Sequence, residues 1–381
     1  MQLKDLKSEI KAIGVRLEFD EVGIAGVNKF KTDQLAAKDR VRKGLFGGLS
    51  WFTEERVMVA NTPEDLLPGC KSIISVAISY FNEGQIYNDG KLRGKVARYA
   101  WGLDYHDVIK QRLRLFVLDI TKLIGSEFRS RIFVDDGAMN DRAAAERAGI
   151  GWFGKNSNIL TSSHGSWVFL GQIITDLDIV ADSPNLKTCG DCQLCITKCP
   201  TGAIEAPYTI NNDLCISFLT IELKGVIPRD LRPLIGDWVF GCDICQDVCP
   251  VNIDVVKSQE KYFKKRHDFD ALDLLPLLSL NEEEFRYKFK NSPIKRAKLE
   301  GLKRNVCVAL GNLKDKRAVA PLLEAVLDKS FVVRVHAVWA IWRIGIDEST
   351  KAYLLQALNV EKHPEVIKEL EYVLKNLGML I

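Results

Sequence analysis

Eight of the chain's ten cysteines lie between residues 189 and 249, and their spacing limits what the chain can become. The first run is Cys189, Cys192, Cys195 and Cys199 followed by Pro200, a C-x2-C-x2-C-x3-C-P pattern. The second is Cys215, then Cys242, Cys245 and Cys249 followed by Pro250. Such short steps let three thiolates converge on one [4Fe–4S] cube, while the cysteine before proline points to a second cube. The crossing rule assigns Cys189, Cys192, Cys195 and Cys249 to one cluster, and Cys199, Cys215, Cys242 and Cys245 to the other. Structural zinc takes four ligands, commonly as two separated pairs, and leaves eight cysteines in two such runs unexplained. Two clusters make an electron wire, so the rest of the chain must contain what the wire feeds.

A length of 381 residues suggests two or three domains, and 47% apolar with 27% charged residues is ordinary for a globular protein. The N-terminus shows no apolar signal core and no run reaches the length of a membrane span. Reduced cysteines and oxygen-sensitive clusters then point to the cytoplasm. The net charge of +3 is unevenly placed: residues 255–381 carry 23 Lys and Arg against 17 Asp and Glu. Between Arg286 and Arg317 stand 11 basic residues, opposed only by Glu300 and Asp315. A patch of this kind either grips phosphates or is the solvated face of a helical domain.

Strands and helices alternate over about residues 1–180, which reads as an α/β domain. Helices are expected at 2–13, at Asp104–Leu123 (apolar at Val108, Leu113, Phe116, Val117 and Ile120) and at 141–148. Strands are expected at 22–27, within 70–80, at 131–134 and at 165–174. The cluster domain follows at about 181–255, and 256–295 reads as a polar, basic connector. From about 296 the chain repeats itself at a period of 31: Lys303/Arg334, Ala309/Ala340, Leu310/Ile341 and Leu313/Ile344. A weaker third copy ends at Leu377-Gly378, so 256–381 reads as connector plus short HEAT-like α-solenoid. Cys70 and Cys307 read as buried thiols.

Three stretches gather polar and aromatic residues where strands end: 97–106, 134–137 and 149–157. Clefts at the C-terminal ends of strands are the usual ligand sites of α/β sheets. Asp135 closes an apolar strand and is a candidate general acid, since burial raises a carboxyl pKa. It also precedes Gly137, where an Asp is a common turn residue. Gly149-x-Gly151-x-x-Gly154 formally matches a dinucleotide fingerprint but follows a helix rather than a strand, which excludes that reading. No C-x3-C-x2-C is present for radical S-adenosylmethionine chemistry, and no Asp-x-His-x-x-Gly for a corrinoid's lower histidine ligand.

Taken together, Trp101-Gly-x-Asp-Tyr105-His106, the Val134-Asp135 pair with 141–151, Lys155-Asn156, and the two cysteine runs resemble the epoxyqueuosine reductase family. The likeness covers nearly the whole chain. It implies an α/β cobalamin-binding domain like that of reductive dehalogenases and nitroreductases, then a two-cluster ferredoxin-like domain, then HEAT-like helical repeats. It implies base-off cobalamin cycling between cob(II)alamin and cob(I)alamin, fed by the two clusters from an external flavodoxin- or ferredoxin-type donor. The implied substrate is epoxyqueuosine at the tRNA wobble position, reduced by two electrons to queuosine by a monomer.

The resemblance casts Asp135 as proton donor. It casts Arg56, Ala97, Arg98, Tyr105, His106, Asn156, Ile159, Leu170, Ser217 and Lys224 as cofactor or substrate contacts. With the basic stretch it favours Lys295, Arg296, Lys298, Lys303 and Arg304 as tRNA contacts. The family often has a small or hydroxyl residue where this chain has Asp136, which leaves open which carboxylate is the acid. Alternation along a strand would turn only one of the two toward the cofactor. Two rival readings remain: a dehalogenase-like cobalamin and iron–sulfur reductase of a small molecule, and a ferredoxin-like electron carrier with interaction repeats.

Overall fold

The computed structural model describes residues 3–377; Gln2 of the first expected helix and Gly378 of the third repeat lie outside them. The chain divides into two compact units that interleave along the sequence. One comprises the chain up to Glu83, Gly102–Asp213 and Asp243–Lys264; the other comprises Gly84–Trp101, Leu214–Cys242 and the chain from Lys265. This division does not follow the expected boundaries at 180 and 255. Cys199 and Cys245 belong to the first unit, Cys215 and Cys242 to the second.

The first unit is built on four strands: β1 (Glu21–Gly26), β2 (Ser72–Ser79), β3 (Ser130–Phe133) and β4 (Val168–Thr175), in the order β1-β2-β4-β3. Every neighbouring pair is antiparallel, with Ser72 opposite Thr175 and Phe133 opposite Gln172. The rule locating ligands at the carboxyl ends of parallel strands therefore does not apply, and the sheet corrects that expectation. All eight residues of β2 are buried, as its apolar run requires for a central strand. Helices α1 (Leu3–Arg16), α2 (Glu54–Ala60), α3 (Tyr105–Ile124) and α4 (Asp141–Arg147) complete what positions the site.

Helix α3 starts where Asp104 accepts the His106 N–H at 3.3 Å and stops at left-handed Gly125. Its buried face is Tyr105, Ile109, Leu113, Phe116 and Ile120; Val108 and Val117 flank it half-buried. Gly151, part of the formal nucleotide fingerprint, lies where a Cβ would stand 2.3 Å from the Leu160 carbonyl oxygen. Close backbone approach, not a pyrophosphate, accounts for that glycine.

In the second unit, strand Arg93–Val96 lies between Trp238–Phe240 (parallel) and Ala271–Asp273 (antiparallel). The helices are α5 (Lys298–Leu313), α6 (Val319–Ala325), α7 (Phe331–Ile344), α8 (Glu348–Val360) and α9 (Pro364–Asn376). The repeat pairs Ala309/Ala340 and Leu310/Ile341 are fully buried. Gly311 allows α5 to approach α7, since a Cβ there would lie 2.9 Å from Ala340 Cα.

Arg304 bolts this unit together. Its guanidinium donates to the carbonyls of Leu219 (2.6 Å), Leu223 (2.7 Å) and Gly225 (3.0 Å). Next to it, Asn305 donates to the Thr220 and Val239 carbonyls. Burial lowers the Arg304 pKa to about 10, yet the side chain still gives its N–H groups to carbonyls that would otherwise be orphaned. Replacing Arg304 with Met should destabilise the protein by about 3 kcal/mol or more, because it strands three carbonyls at once. Replacing exposed Lys288 with Met should stay within about 0.5 kcal/mol. Thermal melts of both variants check this; an unshifted Arg304→Met melt would remove the bolt.

Candidate active site and iron–sulfur pocket

The cysteine-bearing segments 189–199 and 243–249 of the first unit fold alike. Residues Leu194–Thr197 and Ile244–Asp247 form short helices that begin after Gln193 and Asp243. They place Cys195 and Cys245 at equivalent second positions. Turns close on either side: the Cys192 N–H donates to the Cys189 carbonyl (3.1 Å) and the Cys249 N–H to the Gln246 carbonyl (3.1 Å).

Cys189, Cys192, Cys195 and Cys249 thereby line one pocket of about 270 Å³, its open mouth included. This is the set the crossing rule assigns to one cluster. Burial pushes the Cys195 thiol above its ordinary value, and the sulfurs of Cys189, Cys249 and Cys192 push it further. Burial likewise raises Cys249, with Cys189 and Cys192 adding to it. Four mutually repelling sulfurs around one pocket suit a cationic iron–sulfur core, which stabilises each as thiolate.

Asn156 belongs to this pocket rather than to the strand-end corner described next. It is buried, lines the thiol pocket, and donates to the Cys245 carbonyl at 3.2 Å. Lys155 beside it donates to the Gly190 carbonyl at 2.7 Å.

Asp135 and Asp136 stand past the end of β3, in a corner where Asp135 has φ +49° and Gly137 φ +74°. Strand alternation therefore does not separate them, and both carboxylates reach α3. The Tyr105 hydroxyl donates to Asp135 Oδ2 at 2.5 Å. Lys110 Nζ pairs with Asp136 Oδ2, whose other oxygen accepts the Val134 N–H at 3.0 Å. Burial works to raise the Asp136 pKa, but Lys110 and the Val134 N–H outweigh it and hold the group below the usual carboxylate range. A carboxylate so held is a poor proton donor, whereas Asp135 is exposed and reachable.

The surroundings fix Tyr105. Its ring stacks on Phe169 at 4.2 Å and 4°, and on His106 at 4.1 Å. His106 Nδ1 meets Asp104 Oδ1 at 2.8 Å, so the histidine serves the start of α3. Arg56 on α2 donates to the Gly137 carbonyl and stacks over Trp51. Ile159 is a core residue, 4% exposed, and Leu170 packs half-buried against the cluster that contains Phe133 and Met139. Below the corner, burial raises Asp141 well above its ordinary value and the charges of Asp135 and Asp136 add to this. Its Oδ1 is buried with no hydrogen-bond partner.

The remaining candidates lie in the second unit. Ala97 is buried and donates its N–H to the Phe240 carbonyl; Arg98 lies over the Trp101 ring. Ser217 is half-buried on the helix Ile216–Ile221 that follows Cys215. Lys224 donates to the Ile221 and Arg296 carbonyls. Burial lowers its pKa; Glu222 opposes this, while Arg304, Arg296 and Lys298 add to it.

Of the five expected tRNA contacts, Lys295, Arg296 and Lys298 are exposed, with Arg296 paired to Glu222. Two are corrected. Arg304 is 1% exposed and spent on backbone carbonyls, and Lys303 is nearly buried against Asp328 at 3.0 Å. The sequence reading also missed Lys110. A lone lysine on the helix after Tyr105 carries no signal until the Asp136 corner is folded against it.

Family models match three segments: Epoxyqueuosine reductase QueG over residues 61–136, a 4Fe-4S double cluster binding domain over 188–252, and HEAT repeats over 296–375. The epoxyqueuosine reductase of Salmonella typhimurium is 39% identical, over 90% of this chain and 89% of its own length. The chain belongs to the epoxyqueuosine reductase family. It is therefore an oxidoreductase with a 4Fe-4S double-cluster domain and C-terminal HEAT repeats.

An epoxyqueuosine reductase solved with an epoxyqueuosine-modified tRNA-Tyr stem loop matches 99% of the chain and 100% of its own, at TM-score 0.92 and 34% identity. One from Bacillus subtilis, with its catalytic aspartate loop swung out of the active site, matches 100% of both at TM-score 0.91 and 33% identity. The reductase model ends on the Asp135–Asp136 corner, and the cluster model spans all eight clustered cysteines. Cys249→Ser should lower bound iron from roughly eight to roughly four atoms per chain while one cluster survives. Iron assay with electron paramagnetic resonance of the reduced protein reads this; unchanged iron would break the ligand assignment.

Proposed function

We propose that this chain reduces the epoxide of epoxyqueuosine, at the wobble position of a tRNA anticodon, to the alkene of queuosine. Asp135 donates a proton to the epoxide oxygen. The balance is two electrons and two protons in, and the epoxide oxygen out as water. The observation that carries the reading is the division of labour at the corner. Lys110 keeps Asp136 anionic, while Asp135, exposed and hydrogen-bonded by Tyr105, is the carboxyl able to cycle a proton.

Cobalamin, when bound, supplies the two electrons at the epoxide carbon. The residues present suit a flat cofactor edged with amides: the Tyr105–Phe169 stack, half-buried Leu170, and the hydroxyl and carboxylate of the corner. On the first unit, Arg56 and Tyr105 would hold it. The cysteines hold the two clusters through which a flavodoxin- or ferredoxin-type donor feeds the site. Tyr105, held by its stack on Phe169, fixes the orientation of the Asp135 carboxyl, whose exposure lets solvent resupply the proton.

The tRNA reading is supported by the stem-loop complex of the relative and by the surviving cationic surface. Nine of the eleven basic residues between Arg286 and Arg317 are exposed. Lys224, surrounded by Arg296 and Lys298, gains from a phosphate that relieves their mutual repulsion. A base of the anticodon loop is reachable once unstacked. Work on tRNA sets the enzyme in the cytoplasm.

Asp135→Asn should cut turnover roughly 100- to 10,000-fold with tRNA and cofactor binding intact. Nucleoside mass spectrometry after a timed reaction measures it, and near-normal turnover would exclude Asp135 as the acid. Reversing charge at Lys295, Arg296 and Lys298 should weaken stem-loop binding and flatten its salt dependence by about 0.9 per lost phosphate contact. An unchanged slope in fluorescence anisotropy would return the patch to a solvated face.

A further inference from the structure

The corner that carries Asp135 has almost no backbone support. From Asp135 to Met139 no residue takes part in a backbone–backbone hydrogen bond. Its ends are fixed. Val134 is buried, Met139 sits in the apolar cluster with Phe133, and Asn140 bonds to the Ala60 carbonyl (3.1 Å) and the Asn61 side chain (2.8 Å). Between those anchors three consecutive residues are tied by three side chains: Asp135 by Tyr105, Asp136 by Lys110, and Gly137 by Arg56. Two of the ties come from α3 and one from α2. Asp135 also sits in the left-handed region, a conformation that aspartate bears at less cost than most residues and that these ties help to hold.

We propose that Lys110, with Arg56, latches the Asp135 corner in its working position, making Lys110 a positioning residue for the reaction. The inference rests on the reading of Asp135 as the proton donor. Lys110 touches neither the reacting atoms nor Asp135 itself; it acts through Asp136. Its pair is partly exposed, 29% on Lys110 and 42% on Asp136. Pairs of this kind are weak. That suits a tie meant to open: losing it shifts the in–out balance by roughly two- to fivefold rather than abolishing the closed form. The swung-out loop of the Bacillus subtilis relative supports a corner with two positions within the family. The chain's departure at residue 136 acquires a purpose on this account. The second carboxylate is the handle of the latch, not a rival acid.

The test uses the cluster- and cobalamin-loaded protein and two readouts. Endoproteinase Asp-N takes the bond between buried Val134 and Asp135 into its cleft only when the corner swings out, so the rate of that one cut, followed by mass spectrometry of the fragments, follows the open population. Lys110→Met and Asp136→Asn should each speed that cut roughly two- to fivefold, and the double variant should do no more than either alone. Lys110→Arg should restore the wild-type rate. In single-turnover assays the same variants should slow conversion only as far as the closed fraction falls, hence by less than the change in cleavage, without changing stem-loop affinity. Unchanged cleavage in Lys110→Met and Asp136→Asn, or effects that add in the double variant, would overturn the latch. Failure of the wild-type protein to convert the modified tRNA would instead overturn the reaction reading, while the cleavage arm still decides the latch.

Discussion

Two adjacent carboxylates at the end of a strand set the terms for the first unit. Left alone, neighbouring like charges raise each other's pKa and blur which one carries a proton. Helix α3 resolves this with two residues of different chemistry. A phenol donates to Asp135 and leaves its other oxygen free; an ammonium neutralises Asp136. The register of α3 is in turn set by its Asp104 cap and by the buried face from Tyr105 to Ile120. The different surroundings of the two carboxylates thus follow from helix packing rather than from any feature of the aspartates themselves.

The same economy governs the sulfurs. Four thiols around one pocket repel one another when ionised, and burial makes that worse. A cationic iron–sulfur core would offset that repulsion and hold the sulfurs as thiolates. In the second unit a single buried cation does the opposite work. Arg304 gives up its charge's hydration to satisfy the carbonyls of the segment that carries Ser217 and Lys224. What looked from the sequence like part of a phosphate grip is a buried bolt within the unit.

The cluster ligands, the central strand and the repeats were legible because each rests on spacing: sulfur at short fixed steps, an unbroken apolar run, a period of 31. The place of Asp135 just past a strand end was legible from the apolar run before it. Lys110 was not, because its role depends on where a distant turn lands. Arg304 was misread because charge counts do not reveal burial; only its place among Leu302, Val306 and Leu310 hinted at a core position. Asn156 stood near the right motif but serves the thiol pocket. The antiparallel sheet was missed since alternating strands and helices suggest parallel order, and strand direction leaves no mark on composition.

The most direct test of the reaction is anaerobic reconstitution with iron and sulfide, with and without cobalamin. The protein is then given epoxyqueuosine-containing tRNA, a low-potential reductant, and mass spectrometry of the digested nucleosides. Conversion to queuosine that requires cobalamin is the result expected. Full cluster and cobalamin occupancy without conversion would contradict the account and leave the electron wire in search of another substrate.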